Sequence, residues 1–157
     1  MLTVTNITTL NQLVENLRVI ASEHLQIHTF YYGDPHEFYL SGTTNSPEMW
    51  VACDSINRES GRVNTYNMNI VLADNVKRGE VNELEVESDL VRIAEDVIAQ
   101  CMDSRYGWNV AESATINMSI RTERTPKNLT TVEFMIPIRV KLPNNRCAIP
   151  FNQNPLT

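Results

Sequence analysis

The stretch that most constrains the fold is the run NELEVESDLVRIAEDVIAQCMDS at residues 82–104. Its apolar side chains recur every three or four residues, and acids occupy most of the opposite side. The main apolar positions are Val86, Leu90, Ile93, Val97 and Cys101. This spacing predicts an amphipathic helix with one buried face. We expect Asn82 and Glu85 to form a capping box at its start, and Gly107 to stop the chain in the left-handed conformation.

A second amphipathic helix is predicted at residues 8–25, where Thr8 or Thr9 can serve as the N-cap. Its apolar stripe is Leu10, Leu13, Val14, Leu17, Ile20, Ala21 and Leu25. With the helix at residues 82–104, this gives the chain two helices that each need an apolar surface to pack on.

Four segments favour strands. Residues 49–54 are a short apolar run, whereas residues 63–72, 114–121 and 132–142 alternate between apolar and polar side chains. The polar sides carry Asn67, Asn69, Asn117, Ser119, Arg139 and Lys141. Pro137 has no N–H to donate, so it indicates an edge strand or a bulge within the last segment. Each strand therefore has one face to bury and one polar face for water, a lumen or a partner.

The order of these elements predicts an α+β fold, an antiparallel sheet with the two amphipathic helices packed on one face. We expect residues 1–142 to form a single domain, with NRESG at 57–61 as a turn and residues 143–157 as an extended tail. At this length a chain can bury a core without disulfides or metals.

The segment 28–48 lacks either periodicity and is predicted to be an ordered loop, with a short strand near residues 38–40. It is rich in aromatic side chains: Phe30, Tyr31, Tyr32, Phe38 and Tyr39. Two interpretations remain open from sequence. The rings either anchor an interface with a partner or cover the open end of the sheet.

No catalytic, cofactor-binding or metal-binding residue is predicted. The nearest candidates for a metal site are His24, His28, Asp34, His36 and Glu37, whose spacing matches no closed site. The glycines are isolated, which excludes a nucleotide-binding loop, and no nucleophile-elbow pattern surrounds a serine or cysteine. The three cysteines, Cys53, Cys101 and Cys147, are widely spaced and are expected to be reduced, mostly buried thiols.

The charge pattern argues against a nucleic-acid-binding surface, because the net charge is −6 and phosphate contacts need clustered Lys and Arg. Residues 80–112 hold nine acids and two bases, whereas residues 113–157 hold six bases and two acids. The asymmetry is either incidental or a device for head-to-tail association of copies. We expect neither a membrane span nor a signal peptide.

Three stretches carry a resemblance to a known class of proteins: YYGDPHEFYLSG after the first helix, LADNVKRG followed by the AEDVIAQ helix, and NNRCAIPF near the C-terminus. With the order helix, strands, acidic helix and alternating hairpin, they resemble the tail-terminator and neck (head–tail joining) proteins of tailed bacteriophages. In particular they are similar to proteins of crAss-like phages of Bacteroidetes.

The resemblance implies a non-enzymatic virion protein of the neck or tail, a homo-oligomeric ring of six or twelve subunits assembled in the host bacterial cytoplasm. Its expected partners are neighbouring portal, adaptor or tail proteins, with only non-specific proximity to genomic DNA and no membrane. Strands 63–72 and 130–142 would present lumen or neighbour surfaces, and residues 28–48 and 143–157 would be docking arms. The alternatives are a small ligand-binding or enzymatic α+β domain and a monomeric interaction adaptor.

Overall fold

Both predicted helices form, and five strands make one sheet beside them. The computed structural model describes residues 9–34, 37, 45–76, 82–123 and 128–142. The helices are α1 (Leu10–Glu23) and α2 (Glu83–Cys101), and a short 3₁₀ turn (Ser104–Tyr106) follows α2. The strands are β1 (Thr29–Tyr32), β2 (Glu48–Glu59), β3 (Val63–Asn75), β4 (Met118–Glu123) and β5 (Leu129–Lys141).

The start of α1 matches its prediction, because Thr9 and Gln12 form a reciprocal capping box. The helix ends earlier than predicted, and Leu25 lies beyond it with 94% of its surface exposed. No helix among the described residues has the length and apolar character to cross a membrane.

The predicted capping box of α2 is wrong. Asn82 is the N-cap residue, but its side chain makes no capping hydrogen bond, and its carbonyl accepts from the Val86 N–H at 3.0 Å. Glu83 and Glu85 in the first turn supply the negative charge that the helix dipole favours there. Gly107 adopts the predicted left-handed conformation, with φ of 73°, and ends the 3₁₀ turn rather than α2 itself.

The sheet confirms the α+β class and corrects one detail of its topology. The strand order is β1-β2-β3-β5-β4, with β1 parallel to β2 and every other pair antiparallel. The sheet is therefore mixed, not fully antiparallel. A parallel pair needs a long connection that returns the chain to the same end, and residues 33–47 provide it.

Three strand boundaries differ from the predictions. β1 lies inside the predicted 28–48 loop, and β2 continues through Glu59 before a short turn in which Gly61 and Arg62 have φ of 80° and 63°. β4 begins at Met118, so Asn117 precedes it. The strand expected near residues 38–40 and the tail at 143–157 lie outside the described residues.

The predicted alternation of β3 and β5 builds the core. The inward-facing side chains are Met68, Ile70 and Leu72 of β3 and Val132, Phe134, Ile136, Ile138 and Val140 of β5, all buried. They form one cluster with the apolar stripes of α1 and α2, which cover this inner face. Pro137 is tolerated in β5 because its nitrogen points to the β4 side at a position that β4 does not reach, since β4 begins at Met118, opposite Phe134. The orientation follows from Arg139, two residues later, which exchanges backbone hydrogen bonds with Asn109 on that side.

The outer face of the sheet, away from the helices, is divided into two regions. At the five-stranded end Trp50, Val71, Ala73 and Leu129 form a second buried cluster, with Tyr31 packed against it. We call this the outer apolar cluster. The prediction of a uniformly polar second face is therefore wrong at this end, since Val71 and Ala73 project from the same side of β3 as Asn67 and Asn69.

Candidate functional site

The other region of the outer face is polar and lies at the three-stranded end of the sheet, where β2, β3 and β5 extend past β1 and β4. We call it the polar face. Its residues, placed by strand register, are Ser55, Asn57, Glu59, Thr65, Asn67, Asn69, Met135, Pro137, Arg139 and Lys141. Four of them were predicted as polar-side residues from sequence alone: Asn67, Asn69, Arg139 and Lys141.

Side chains on the polar face bind one another across strands. The Arg139 guanidinium donates to the Glu59 carboxylate at 2.6 Å, spanning the sheet from β5 to β2. The Thr65 hydroxyl, on the strand between them, donates to the other oxygen of Glu59 at 3.1 Å. The three side chains thus connect three strands diagonally, because Thr65 and Arg139 lie opposite Asn57, and Glu59 is two residues farther along β2.

Two asparagines of β3 extend this pattern along the face. Asn67 donates its amide hydrogen to the Ser55 hydroxyl at 2.9 Å, and Asn69 donates to the Glu133 carboxylate at 2.8 Å. Amide and hydroxyl groups bound in this way keep a fixed orientation. Because the acids Glu59 and Glu133 are matched in number by the bases Arg139 and Lys141, the polar face is an ordered, nearly neutral surface.

The hydrogen bonds from Arg139 and then Thr65 hold the pKa of Glu59 below its usual value. A carboxyl group with a lowered folded-state pKa stabilises the fold above its unfolded pKa, and that contribution is lost as pH falls through the folded value. We therefore expect Glu59→Gln to lower the urea midpoint at pH 7 and to differ less from the natural protein at pH 3. Glu95→Gln, which removes a carboxylate from the solvent side of α2, is the control. An equal effect of Glu59→Gln at both pH values would contradict the role of the carboxylate.

Three strand edges are open among the described strands. β1 and β4 end the sheet on opposite sides, and β1 pairs with β2 only through Val51, so residues 53–59 of β2 also have no strand on the side away from β3. The open edges of β2 and β4 each carry one large exposed apolar side chain, Ile56 at 50% and Ile120 at 46%. Exposed edges of this kind are templates for pairing with another chain.

A groove of about 530 Å³ lies between the C-terminal parts of α1 and α2. His24 and Asp96 approach at 3.2 Å (Nε2 to Oδ2) on its wall, and Gln100 donates to the Tyr106 hydroxyl at 2.7 Å. Arg105 is bound to Asp103 at 2.8 Å, and this contact lowers the pKa of Asp103. No serine or cysteine is among the described residues that line the groove.

Those residues weighed as metal ligands that the structure describes do not form one cluster. His24 caps the end of α1 and contacts Asp96, while Glu37 accepts a hydrogen bond from the Tyr31 hydroxyl at 2.8 Å. Among the described residues no three His, Cys, Asp or Glu side chains form a set that could hold a metal ion. His36 lies outside that part of the chain.

The cysteines fit the expectation of reduced thiols where the structure describes them. Cys53 and Cys101 are free, Cys101 is buried and Cys53 is half-buried. Burial raises the pKa of the Cys101 thiol to about 12, so it is protonated and unreactive at neutral pH. Cys147 lies outside the described residues.

The aromatic side chains of the 28–48 segment cover the sheet where the structure describes them. Phe30 packs against the main core under the Arg18 guanidinium, which lies 4.7 Å from its ring centre, and Tyr31 packs against the outer apolar cluster. Tyr32 is partly exposed. Phe38 and Tyr39 lie outside the described residues.

Sequence reasoning identified Asn67 and Asn69 but not their pairing with Ser55 and Glu133, nor the pairing of Glu59 with Thr65 and Arg139. Those pairings depend on strand register, which a bulge between Cys53 and Ser55 shifts by one residue. The open edges were missed as well, although Ile56 and Ile120 stand out as apolar residues near charged neighbours. No protein-family model and no curated protein matches this chain.

Proposed function

We propose that the chain is a structural virion protein that forms a ring in the phage neck or tail, as a tail terminator or head–tail connector through which DNA passes. It acts without catalysis and is assembled in the host cytoplasm with neighbouring portal, adaptor or tail proteins. The sequence resemblance motivates the proposal, and the polar face is the structural observation that carries it.

The polar face has the chemistry that a DNA passage needs. DNA binds proteins mainly through Lys and Arg contacts to phosphates, so a surface that must let it slide should carry few unpaired cations. On this face the Arg139 guanidinium is bound to Glu59, the two asparagines of β3 bind the Ser55 hydroxyl and the Glu133 carboxylate, and Lys141 is the one other cation among the residues that the structure describes there. In a ring, this face would line the lumen or lie against the next subunit.

The distribution of charge supports assembly of copies or stacking of rings. The acidic helix α2 packs on the inner face of the sheet, whereas the exposed bases Arg121 of β4 and Lys141 of β5 lie on the outer face. Opposite signs on opposite sides of one subunit favour head-to-tail contacts, and head-to-tail contacts can close into rings.

Native mass tests the proposal most directly. Light scattering on the purified chain, alone and after co-expression with neighbouring virion proteins, is expected to give a closed species of six or twelve subunits. Measurements at low and high salt show how much charge attraction contributes to assembly, because the screening length falls from about 10 Å at 0.1 M to about 3 Å at 1 M. A chain that stays monomeric with every virion component and binds a small molecule in the groove between α1 and α2 would overturn the proposal.

A further inference from the structure

We infer that the open edge of β2 at residues 53–59 and the open edge of β4 pair with each other between two copies of this chain, so that one sheet continues into the next. The inference deepens the proposed function and rests on it in one respect, since it assumes that copies associate. The partner at each open edge is a second copy of the same chain, and the contacts can be named residue by residue.

The direction of the strands permits this pairing. Three successive antiparallel pairs, β2–β3, β3–β5 and β5–β4, make β2 antiparallel to β4 within one subunit. When a second copy is placed in the same orientation beside the first, its β4 runs antiparallel to the open edge of β2. Such a contact uses two different surfaces and is therefore heterologous, the type that generates rings.

The backbone groups also match. Arg139 exchanges both backbone hydrogen bonds with Asn109 on the β4 side, so odd-numbered residues of β5 bond toward β4 and even-numbered ones toward β3. Ile120 lies opposite Val132, an even-numbered residue, so the N–H and C=O of Ile120 point away from β5 to the open edge of β4.

The same alternation, carried through β3, gives the orientation of β2. Thr65 and Asn67 bond toward β2, so Ile56, which lies opposite Tyr66, directs its N–H and C=O to the open edge. Ile56 and Ile120 can thus exchange two hydrogen bonds as a directly opposed pair.

The side chains fit that register. Ile56 lies opposite the core residue Tyr66 and Ile120 opposite the core residue Val132, so both isoleucines project from the helix-covered face of the sheet. Opposed residues on the same face lie within contact distance across an antiparallel pair, so each isoleucine would cover the other. The register also places the Arg58 stem beside Met118.

Features of the β2 edge restrict it to a specific partner. The bulge between Cys53 and Ser55 and the exposed charges of Asp54, Arg58 and Glu59 are devices that discourage indiscriminate pairing. A β2–β2 contact between copies would leave the β4 edge and Ile120 exposed, whereas the β2–β4 contact buries both isoleucines at once.

The test compares the natural chain with Ile56→Lys and Ile120→Lys by light scattering over a range of concentrations. Each single substitution is expected to raise the concentration of half-assembly about tenfold or more, because a lysine cannot pack against an isoleucine in this pair. Leu84→Lys, at an exposed position of α2, is the matched control and should assemble as the natural chain does. The double variant Ile56→Lys/Ile120→Glu should recover assembly, since each contact then opposes a lysine and a glutamate.

Mixing the two single variants gives a sharper outcome. Each retains one intact edge, so an equal mixture of Ile56→Lys and Ile120→Lys should form dimers and no ring. An Ile120→Lys variant that assembles normally would overturn the inference in favour of β2–β2 contacts. Rings formed by the double variant Ile56→Lys/Ile120→Lys, in which every contact would oppose two lysines, would overturn it while leaving the proposed function intact.

A cysteine pair detects contacts that are too weak for light scattering. Ile56→Cys/Ile120→Cys in a Cys53→Ser/Cys147→Ser background, where Cys101 is the one natural thiol left and is buried, is expected to give a ladder of disulfide-linked multimers on mild oxidation, while either single cysteine gives no ladder. A natural chain that is monomeric at every concentration, together with no ladder from the double variant, would overturn both the inference and self-assembly of the isolated chain.

Discussion

Phe134→Ala is expected to lower the free energy of unfolding by about 3–5 kcal/mol, as for other buried aromatic residues. Phe134 is 1% exposed and lies on the inner face of β5, where it belongs to the cluster formed with both helices. The truncation removes apolar contacts and leaves a cavity. β5 is hydrogen-bonded to β3 on one side and to β4 on the other, so it cannot shift to fill that cavity. Urea unfolding at pH 7 measures the change.

Met135→Ala is the matched control for this variant. Met135 is the next residue on the same strand, but it projects from the outer face and is 42% exposed. Its truncation should change the free energy of unfolding by no more than about 0.5 kcal/mol. Similar losses for the two substitutions would mean that the register assigned to β5 is wrong.

Trp50→Ala is expected to destabilise the protein by a comparable amount, about 3–5 kcal/mol. Trp50 is 1% exposed although it lies on the face of the sheet opposite the helices, where it is the largest member of the outer apolar cluster. Its indole N–H donates to Glu48 at 3.2 Å, and that carboxylate is itself buried. The substitution therefore removes both a large apolar surface and a donor to a buried acid.

Two further variants separate these contributions. Trp50→Phe keeps an aromatic ring but removes the donor, and a loss of about 1–3 kcal/mol is expected from the hydrogen bond to the buried carboxylate. Asn57→Ala, at an exposed position on the same face of β2, should be nearly neutral in the same urea titration. If Trp50→Ala behaved like Asn57→Ala, the outer apolar cluster would contribute nothing to stability.

The elements predicted well from sequence are those with a single buried face. α2 and the alternating strands β3 and β5 each have a period that matches their geometry, because one side meets the core and the other does not. Thr9 was also identified as a possible cap, since its side chain acts within one turn of its own position in the sequence. Local signals of this kind need no knowledge of the tertiary fold.

The elements that escaped prediction lack such a signal. The outer half of β2 is exposed on both faces, so its sequence does not alternate and resembles a turn. β1 is a four-residue strand held by parallel pairing, which depends on residues beyond a long connection. The outer apolar cluster combines residues of four strands, and only the register shows that Val71 lies beside Trp50.

The candidate site was predictable to the same extent. Asn67 and Asn69 follow from alternation within one strand, but the contacts of Glu59 with Arg139 and of His24 with Asp96 join residues far apart in the chain. Their proximity is a property of the assembled sheet and helices. The polarity of a face can thus be predicted from sequence, whereas the pairings that make it electrically neutral cannot.

The central position of β5 between β3 and β4 has a consequence for how the chain folds. β2 and β3 are joined by a short turn and can pair from local contacts, whereas β3 meets β5 only after the whole of α2 and β4 has been bridged. The entropy of closing that loop is lost before the pairing returns any stability, which slows folding. During synthesis on the ribosome, β5 emerges after α2 and β4, so until then the apolar residues of β3 have a neighbouring strand on one side only.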